Sequence, residues 1–263
     1  MFFGIMQGRL SRSKKNILQF LPKNWKIEYD RAKKINLDYI ELFTTKLNDS
    51  SPIWNKNQSL LKKKINQTKL KKIILCDNFV FKSSLLSSNY DRYFNKIINK
   101  LSYFTDSTLI LPIQNVFFEK KNYKNLIKKI SYFIEESNIK KVKISFEVQV
   151  SLQTILRLKK DLNNELFKIT FDTGNIFIID RCNKSLITYF NKTKNFTNHV
   201  HLKDRDINDN NVIFGTGIIN FKEFFKIIKK AQYNQTFTFE TNRGQNFMET
   251  AKNNLIFVKS NFH

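Results

Sequence analysis

The sequence predicts a single-domain (βα)8 TIM barrel, and three observations support this prediction. Eight short runs of apolar, β-branched and aromatic residues recur along the 263-residue chain, with starts 25 to 38 residues apart. Segments with helical periodicity separate the runs. The chain has no dinucleotide-binding glycine fingerprint, which favours the barrel over an open doubly wound sheet with the same alternation.

The predicted strands cover residues 2–6, 38–43, 72–76, 107–112, 142–147, 167–172, 197–202 and 235–240. The clearest helical patterns between them run from Trp25 to Ile35, from Tyr90 to Phe104 and from Phe221 to Ala231. In the second pattern, apolar residues recur every three or four positions, as on the buried face of an amphipathic helix. No linker interrupts this order, so we expect one domain that spans residues 1–263.

The chain is strongly basic, with 46 lysines and arginines, 22 aspartates and glutamates, and a formal net charge of +24. Only eight of the basic residues are arginines, and the lysines are scattered in pairs and triplets over the predicted outer helix faces. This distribution favours solvated surfaces over a nucleic-acid groove, so we expect no specific nucleic-acid partner. The charge can still attract a phosphorylated substrate.

The chain offers few signals for a compartment or a membrane. Two cysteines, Cys76 and Cys182, give neither a disulfide framework nor a metal-binding spacing. The first residues do not form a signal peptide, and no window approaches the length of an apolar membrane span. We therefore expect a cytoplasmic protein without membrane contact, and a homo-oligomer is compatible with the sequence.

Three carboxylates and one imidazole close consecutive predicted strands at equivalent positions. They are Glu147 on the fifth strand, Asp172 on the sixth, His201 on the seventh and Glu240 on the eighth. A carboxylate is costly to bury unless it is paired or bound to a metal, and these strand ends meet at one barrel mouth. The set predicts one divalent ion, with Mn²⁺, Mg²⁺ or Co²⁺ favoured by the oxygen-rich donors and Zn²⁺ as an alternative. In the competing interpretation, each acid pairs with a lysine.

Eight short motifs occur along the chain. No single motif identifies a family, but their order and spacing together do. They are Gly4-Ile-Met-Gln-Gly-Arg-Leu-Ser11, Ile40-Glu41, Leu75-Cys-Asp77, Phe146-Glu147, Phe171-Asp172-Thr-Gly-Asn175, His199-Val-His201-Leu-Lys-Asp204, Phe214-Gly-Thr-Gly217 and Phe239-Glu240. With these motifs the chain resembles, nearly end to end, the sugar phosphate isomerase/epimerase family of xylose isomerase-like barrels. Asn175 departs from the pattern, because many members carry a histidine at that position.

This resemblance implies that Glu147, Asp172, His201 and Glu240 bind the metal and that the two glutamates also act as acid and base. The implied substrate is a small sugar or sugar phosphate, bound to the metal through a ketose carbonyl and an adjacent hydroxyl. One glutamate would remove a proton to give a metal-bound cis-enediolate. Reprotonation on the opposite face gives epimerisation, and reprotonation at the neighbouring carbon gives isomerisation. The sequence leaves open which glutamate is the base.

Other polar residues at the strand ends are candidates for contacts to the substrate. They are Gln7, Glu41, Asp77, Asn175, His199, Lys203, Arg205 and Arg243. His199 could instead support the ligands or simply be packed, and Lys203 could pair with Asp204. The glycines of the Phe214–Gly217 motif could hold a phosphate or form a turn before a helix capped by Asn220. Cys76 is expected to be a buried small residue rather than a nucleophile.

Three other functions remain open at this stage. An AP endonuclease-like DNA repair enzyme uses a similar barrel, but its trinuclear zinc site is rich in histidine. This chain has three histidines, one of which is the last residue, His263. A dehydratase acting on a cyclic polyol would use similar groups, and a non-catalytic sugar-binding barrel is also compatible with the sequence.

Overall fold

The computed structural model describes residues 1–13 and 17–262, in which eight parallel strands close into a barrel. The barrel strands are β1 (Phe2–Met6), β2 (Tyr39–Thr44), β3 (Ile73–Asp77), β4 (Ser107–Ile113), β5 (Lys143–Val148), β6 (Ile169–Asp172), β7 (Thr197–Leu202) and β10 (Thr236–Phe239). Strand β1 closes the barrel by pairing with β10. The barrel prediction is confirmed, and each strand lies within two residues of its predicted bounds.

Helices follow the barrel strands around the outside. They are α1 (Trp25–Lys34), α2 (Ser59–Thr68), α3 (Ser88–Leu101), α4 (Lys120–Ile139), α5 (Leu152–Leu162), α6 (Thr173–Asp180), α7 (Asn183–Thr193), α8 (Phe221–Lys230) and α9 (Phe247–Phe262). Short 3-10 turns occupy Pro52–Trp54, Asn78–Phe81, Asn115–Phe118 and Lys194–Phe196. Within the described residues, no helix is both long enough and apolar enough to cross a membrane.

Helix α3 differs at both ends from the predicted segment 90–104. It begins earlier because the Ser87 hydroxyl accepts a hydrogen bond from the backbone N–H of Tyr90 and caps the first turn. It ends at Leu101, and the chain then turns through Asp106, whose φ of 59° is left-handed, into β4. Phe104 lies beyond the helix but is still buried, which is why it continued the apolar pattern.

The barrel interior has an apolar half and a polar half. Buried residues of β1 to β4, including Met6, Phe43, Ile74, Cys76 and Ile110, form one apolar cluster. The inward positions of β5, β6, β7 and β10 instead carry hydroxyls, imidazoles and carboxylates, as in the 2.7 Å contact between the hydroxyls of Ser145 and Thr170. Glu41 on β2 faces this polar half. Between the strands and the helices, the core is rich in stacked phenylalanines. This polar half leads directly to the candidate site.

The packing of side chains inside the barrel requires a glycine at position 4. The buried ring of Tyr39 crosses above Gly4, and a Cβ on Gly4 would lie only 2.2 Å from the ring atom Cε2. The tyrosine cannot simply move aside, because its hydroxyl lies 2.9 Å from the Thr238 hydroxyl on β10, on the other side of β1. Gly4 therefore lets an aromatic ring cross the inner face of β1.

Candidate metal centre

The structure brings the four residues predicted as ligands together at the carboxyl end of the barrel. The Nδ1 atom of His201 lies 3.3 Å from Glu240 Oε2, 3.7 Å from Glu147 Oε2 and 3.9 Å from Asp172 Oδ2. One ligand atom from each residue lies within 4.8 Å of every other. This is the spacing of donor atoms that can surround a single ion with ligand distances of about 2.0–2.6 Å.

Strand register places these side chains in one layer. Asp172 on β6 is the direct partner of His201 on β7, and Glu240 follows β10 with its N–H donating to Leu202 O. Helix α6 starts immediately after β6, and the Asp172 carboxylate caps it by accepting from the N–H of Asn175 through Oδ1. The cap fixes one carboxylate oxygen on the helix and leaves the other for the centre.

A carboxylate below the centre orients His201. Glu41 Oε1 lies 2.9 Å from His201 Nε2, and Glu41 Oε2 lies 3.0 Å from His199 Nε2 and also accepts from the Thr238 hydroxyl. His199 Nδ1 in turn lies 2.7 Å from the Thr236 hydroxyl. The structure thus places Glu41 and His199, both predicted as substrate contacts, beneath the ligand layer with no exposed surface.

The Glu41 contact leaves the opposite nitrogen of His201 facing the carboxylates. His201 Nδ1 is buried and has no hydrogen-bond partner among the described residues. Metal-bound histidines commonly use the far ring nitrogen to contact a carboxylate in this way. An unpartnered imidazole nitrogen facing three carboxylate oxygens fits a divalent cation with mixed oxygen and nitrogen donors.

The pKa shifts at Glu41 and the two histidines follow from this buried arrangement. Burial would raise the pKa of Glu41, but the two adjacent imidazoles lower it far below its ordinary value. Burial would lower the pKa of His201, but Glu41 and Glu147 raise it well above the usual histidine value. For His199, burial outweighs Glu41 and lowers the pKa. The ligand layer therefore rests on an ionised carboxylate.

Lys203 adds a positive charge directly beside the ligands. Its Nζ lies 2.7 Å from Asp172 Oδ2 and 3.3 Å from Glu240 Oε1. Burial would lower the pKa of Lys203, but these carboxylates raise it above the ordinary lysine value. The interpretation in which acids pair with lysines thus holds in part for two of the ligands. Glu147, by contrast, has no lysine or arginine within ion-pair distance in the described chain.

Asn175 and Arg205 hold the outer oxygen of Glu147. The Asn175 amide donates from Nδ2 to Glu147 Oε1 at 3.0 Å, and its own Oδ1 accepts from Arg205 Nη2 at 3.1 Å. Arg205 is itself fixed by donation from Nη1 to Asp209 O at 2.8 Å. The residue that departs from the family pattern therefore contacts one of the predicted ligand carboxylates directly.

The glycine motif after β7 binds a side chain of the protein itself. Backbone N–H groups of Gly215 and Gly217 both donate to Asp204 Oδ2 at 2.9 Å. Asn220 caps α8 by accepting from the N–H of Glu223 at 3.0 Å. These contacts fit the turn-and-cap interpretation of the motif. They also show that Asp204 and Lys203 have different partners.

The remaining predicted candidates lie in different surroundings. Asp77 is buried and accepts from the hydroxyls of Tyr90 and Tyr93, so it lies within the wall. Arg243 donates to the backbone carbonyls of Gly8, Ile17 and Leu18. These hydrogen bonds connect the loop after β10 to the loop after β1. Gln7 is buried, and its Nε2 has no partner among the described residues.

Cys76 is buried, as predicted, and its thiol lies 3.5 Å from Asn78 Oδ1. His263 lies outside the described residues.

Two buried charges near the mouth were not identified as functional from the sequence. Arg9 donates from Nε to Thr241 O at 2.8 Å, and its pKa is lowered to about 10 by burial, against the opposing effect of Glu240. Glu28 on α1 accepts from the N–H groups of Gly8 and Leu10. Together they fix the segment after β1. The sequence placed Arg9 only as a polar residue at the end of the first predicted strand, within the motif of residues 4–11, and no pattern indicated Glu28.

Comparisons with known proteins agree with this fold. A family model described as xylose isomerase-like TIM barrel matches residues 29–260. No curated protein matches the sequence.

Three solved structures cover nearly the whole chain at low sequence identity. A D-psicose 3-epimerase from Clostridium cellulolyticum is 14% identical, covers 100% of both chains and has a TM-score of 0.79. A 3-keto-D-glucoside 4-epimerase from E. coli is 14% identical, covers 99% of both chains and has a TM-score of 0.72. A probable 3-DHS dehydratase from Bacillus anthracis is 13% identical, covers 98% of this chain and 99% of that chain, and has a TM-score of 0.76.

Proposed function

The chain belongs to the family of xylose isomerase-like TIM barrels, and we propose that it is a divalent-metal-dependent isomerase or epimerase of a small sugar or sugar phosphate. The observation that carries this proposal is the buried, unpartnered Nδ1 of His201, which faces carboxylate oxygens of Glu147, Asp172 and Glu240. The two epimerases of similar fold support a sugar with a keto group as the substrate class.

Glu147, Asp172, His201 and Glu240 would hold the ion, with Mn²⁺, Mg²⁺ or Co²⁺ favoured by the three carboxylates and Zn²⁺ as an alternative. A bound divalent ion supplies positive charge that polarises a ketose carbonyl and acidifies the adjacent C–H bond. Glu41 contributes by fixing the ring of His201 from below. Lys203 neutralises part of the excess negative charge at Asp172 and Glu240.

Glu147 and Glu240 are the proposed proton-transfer pair. Their side chains keep 12% and 13% of their surface exposed, whereas Asp172 and His201 are fully buried, so only the glutamates can reach a substrate. One removes the proton beside the carbonyl to give a cis-enediolate, and the other returns a proton. Delivery to the opposite face of the same carbon epimerises the sugar, and delivery to the neighbouring carbon isomerises it.

In the metal-free protein, burial raises the pKa of Glu147, so its carboxylate has a greater affinity for a proton than an exposed glutamate. Asn175 keeps that carboxylate oriented by donating to Oε1, so that Oε2 remains on the side of His201. Arg205 holds the Asn175 amide through its Oδ1, which fixes which end of the amide points at the glutamate. Asn175 and Arg205 are therefore the proposed positioning residues for Glu147.

The test combines a ketose screen with solvent-deuterium exchange. Wild type loaded with Mn²⁺ should convert at least one ketose or ketose phosphate and place deuterium on the carbon beside its carbonyl, as seen by NMR. Glu147→Gln and Glu240→Gln should each lower kcat about 10²- to 10⁴-fold. The exposed Glu135→Gln on α4 is the control and should retain wild-type turnover. Full activity in both site variants would contradict the proposal.

A dehydratase is the second candidate, because the dehydratase from Bacillus anthracis has a similar fold over the whole chain. It would use the same glutamates to remove a proton and to protonate a departing hydroxyl. The two functions differ in the product: epimerisation preserves the mass of the sugar, whereas dehydration removes one water. Mass spectrometry of the product mixture distinguishes them in the same screen.

A further inference from the structure

A cavity of about 730 Å³ lies at the end of the barrel opposite the candidate metal centre. It is lined by residues at or just before the starts of strands, such as Phe2, Lys143, Thr197 and Thr236, and by the segments that lead into β5 and β10. Thr197 is four residues from His201 along β7, which corresponds to roughly 13 Å. The cavity is therefore separate from the catalytic mouth, and its volume lies within the range of about 300–1,000 Å³ typical of small-molecule sites.

Five lysines converge on this cavity from four different βα units, against a single acidic residue, Asp106. The lysines are Lys72, Lys141, Lys143, Lys168 and Lys194. Asp106 pairs with two of them, Lys72 and Lys143. The other three make no ion pair with any described residue, so the five lysines and one aspartate leave about four positive charges in excess around one cavity. Such a concentration of one sign attracts anions.

Two buried hydroxyls that line the same cavity lack hydrogen-bond partners within the described chain. Ser137 on α4 is 0% exposed and Tyr233 before β10 is 8% exposed, yet neither Ser137 Oγ nor the Tyr233 hydroxyl is paired. Buried hydroxyls in proteins are nearly always satisfied. Both oxygens have almost no accessible surface in the free protein, so each must turn toward the cavity to donate to an acceptor oxygen, which an anionic ligand supplies.

From these observations we propose that the cavity binds a small anion that carries several negative charges on phosphate groups. The lysine ammoniums neutralise the charge, and Ser137 and Tyr233 donate to phosphate oxygens. The described lining has lysines and no arginine, and lysine ammoniums are common phosphate binders that act as point charges. This ligand site is independent of the proposed metal chemistry at the opposite end.

The test is calorimetric titration of the full chain with pyrophosphate and tripolyphosphate at about 0.15 M salt, without free divalent cations. Wild type should bind one equivalent. The double variant Lys168→Gln/Lys194→Gln should bind about tenfold or more weakly, because it loses two charge-assisted contacts. The control Lys222→Gln/Lys226→Gln removes the same charge from the exposed face of α8 and should bind within about twofold of wild type.

Equal weakening in both double variants would show that binding follows the overall charge of the chain, and this would overturn the site. Absence of saturable binding to either polyphosphate would overturn it as well. Citrate is the carboxylate probe, and tighter binding of citrate than of pyrophosphate would overturn the assignment to phosphate.

Two further variants separate ligand contact from folding. Ser137→Ala and Tyr233→Phe remove hydroxyls that have no partner, so they should leave the melting temperature of the free protein unchanged or raise it. Each should weaken pyrophosphate binding about three- to tenfold. Unchanged affinity in both variants would remove the hydroxyls from the site and overturn the proposal.

Discussion

Glu41 determines how the proposed metal-binding imidazole faces its partners. Its two carboxylate oxygens contact His201 and His199, one oxygen each, and Thr238 adds a hydrogen bond from a third strand. A carboxylate that accepts several hydrogen bonds stays ionised and in place even when fully buried. The nitrogen of His201 that faces the centre is therefore set by a residue that does not itself reach the centre.

Glu41→Gln should weaken metal binding without removing a ligand. An amide can contact only one of the imidazoles through an acceptor oxygen, and it no longer supplies the charge that increases the basicity of His201. We expect Mn²⁺ affinity to fall about 10- to 100-fold, measured by calorimetry on metal-stripped protein. Glu135→Gln, exposed on α4, should bind as wild type. Wild-type affinity in Glu41→Gln would show that His201 is oriented by its own strand alone.

Asn175→Ala should move the acidic limb of the kcat/KM profile to higher pH. Burial already raises the pKa of Glu147, and the amide donated to Oε1 opposes that rise by stabilising the charged form. Removing the donor therefore raises the pKa of Glu147 further, so that more of the base is protonated at a given pH. Rate profiles across pH 5 to 9 with the identified ketose provide the test. An unshifted limb with a uniformly lower rate would assign Asn175 to substrate binding alone.

The segment after β1 is held at the mouth by a helix on the outside of the barrel. Glu28 on α1 accepts from the N–H groups of Gly8 and Leu10, while Arg31 on the same helix donates to Leu10 O at 2.7 Å. Arg243, after β10, donates to Gly8 O from the other side at 3.2 Å. Charged side chains thus hold the backbone of this segment in addition to the apolar burial of Leu10, which makes its stability sensitive to pH.

Burial raises the pKa of Glu28 from 4.5 to about 7. Between these values the folded protein binds more protons than the unfolded chain, so the contribution of Glu28 to stability is complete below pH 4.5 and is lost as the pH rises through 7. Glu28→Gln should abolish this slope, worth at most about 3 kcal/mol, because the amide oxygen still accepts from both N–H groups and does not titrate. Thermal unfolding from pH 4 to 8 measures it. Parallel pH curves for variant and wild type would refute the assignment.

The sequence predicted the barrel strands well because each is a short apolar run that ends in polar residues. The four proposed ligands were identified among the polar residues at these strand ends. The sequence did not predict how far each inward side chain lies from the mouth of the barrel. His199 and His201 share one face of β7, but only the structure shows that His199 lies below the layer of proposed ligands. The short pair β8 (Asp204–Arg205) and β9 (Asn211–Val212) was missed, because two-residue strands carry no periodicity. The lysine-lined cavity was missed because its members are distant in sequence.

The whole molecule has a net charge of +24, whereas the carboxylates of the proposed metal site concentrate negative charge. Glu147, Asp172 and Glu240 concentrate negative charge at one end of the barrel axis, whereas lysines surround the cavity at the other end. Fields of this kind direct a cation and an anion to different ends of the same molecule. The two proposed sites can therefore be examined separately, each with its own ligand.

Binding of a divalent metal at the mouth of the barrel should raise the free energy of unfolding of the whole domain. A ligand that binds only the folded protein adds about 2.7 kcal/mol at a concentration of 100 times its Kd, which corresponds to a rise in melting temperature of roughly 5 to 10 °C for a domain of this size. Asp172→Asn should largely abolish the rise with Mn²⁺, because it removes a fully buried ligand oxygen, and excess metal should restore part of it. Glu135→Gln should show the full rise.

Because the shift is read from unfolding and not from turnover, it tests metal binding even before a substrate is identified. Equal shifts in wild type and Asp172→Asn would place the ion elsewhere, whereas no shift in wild type would contradict a metal centre at this end of the barrel.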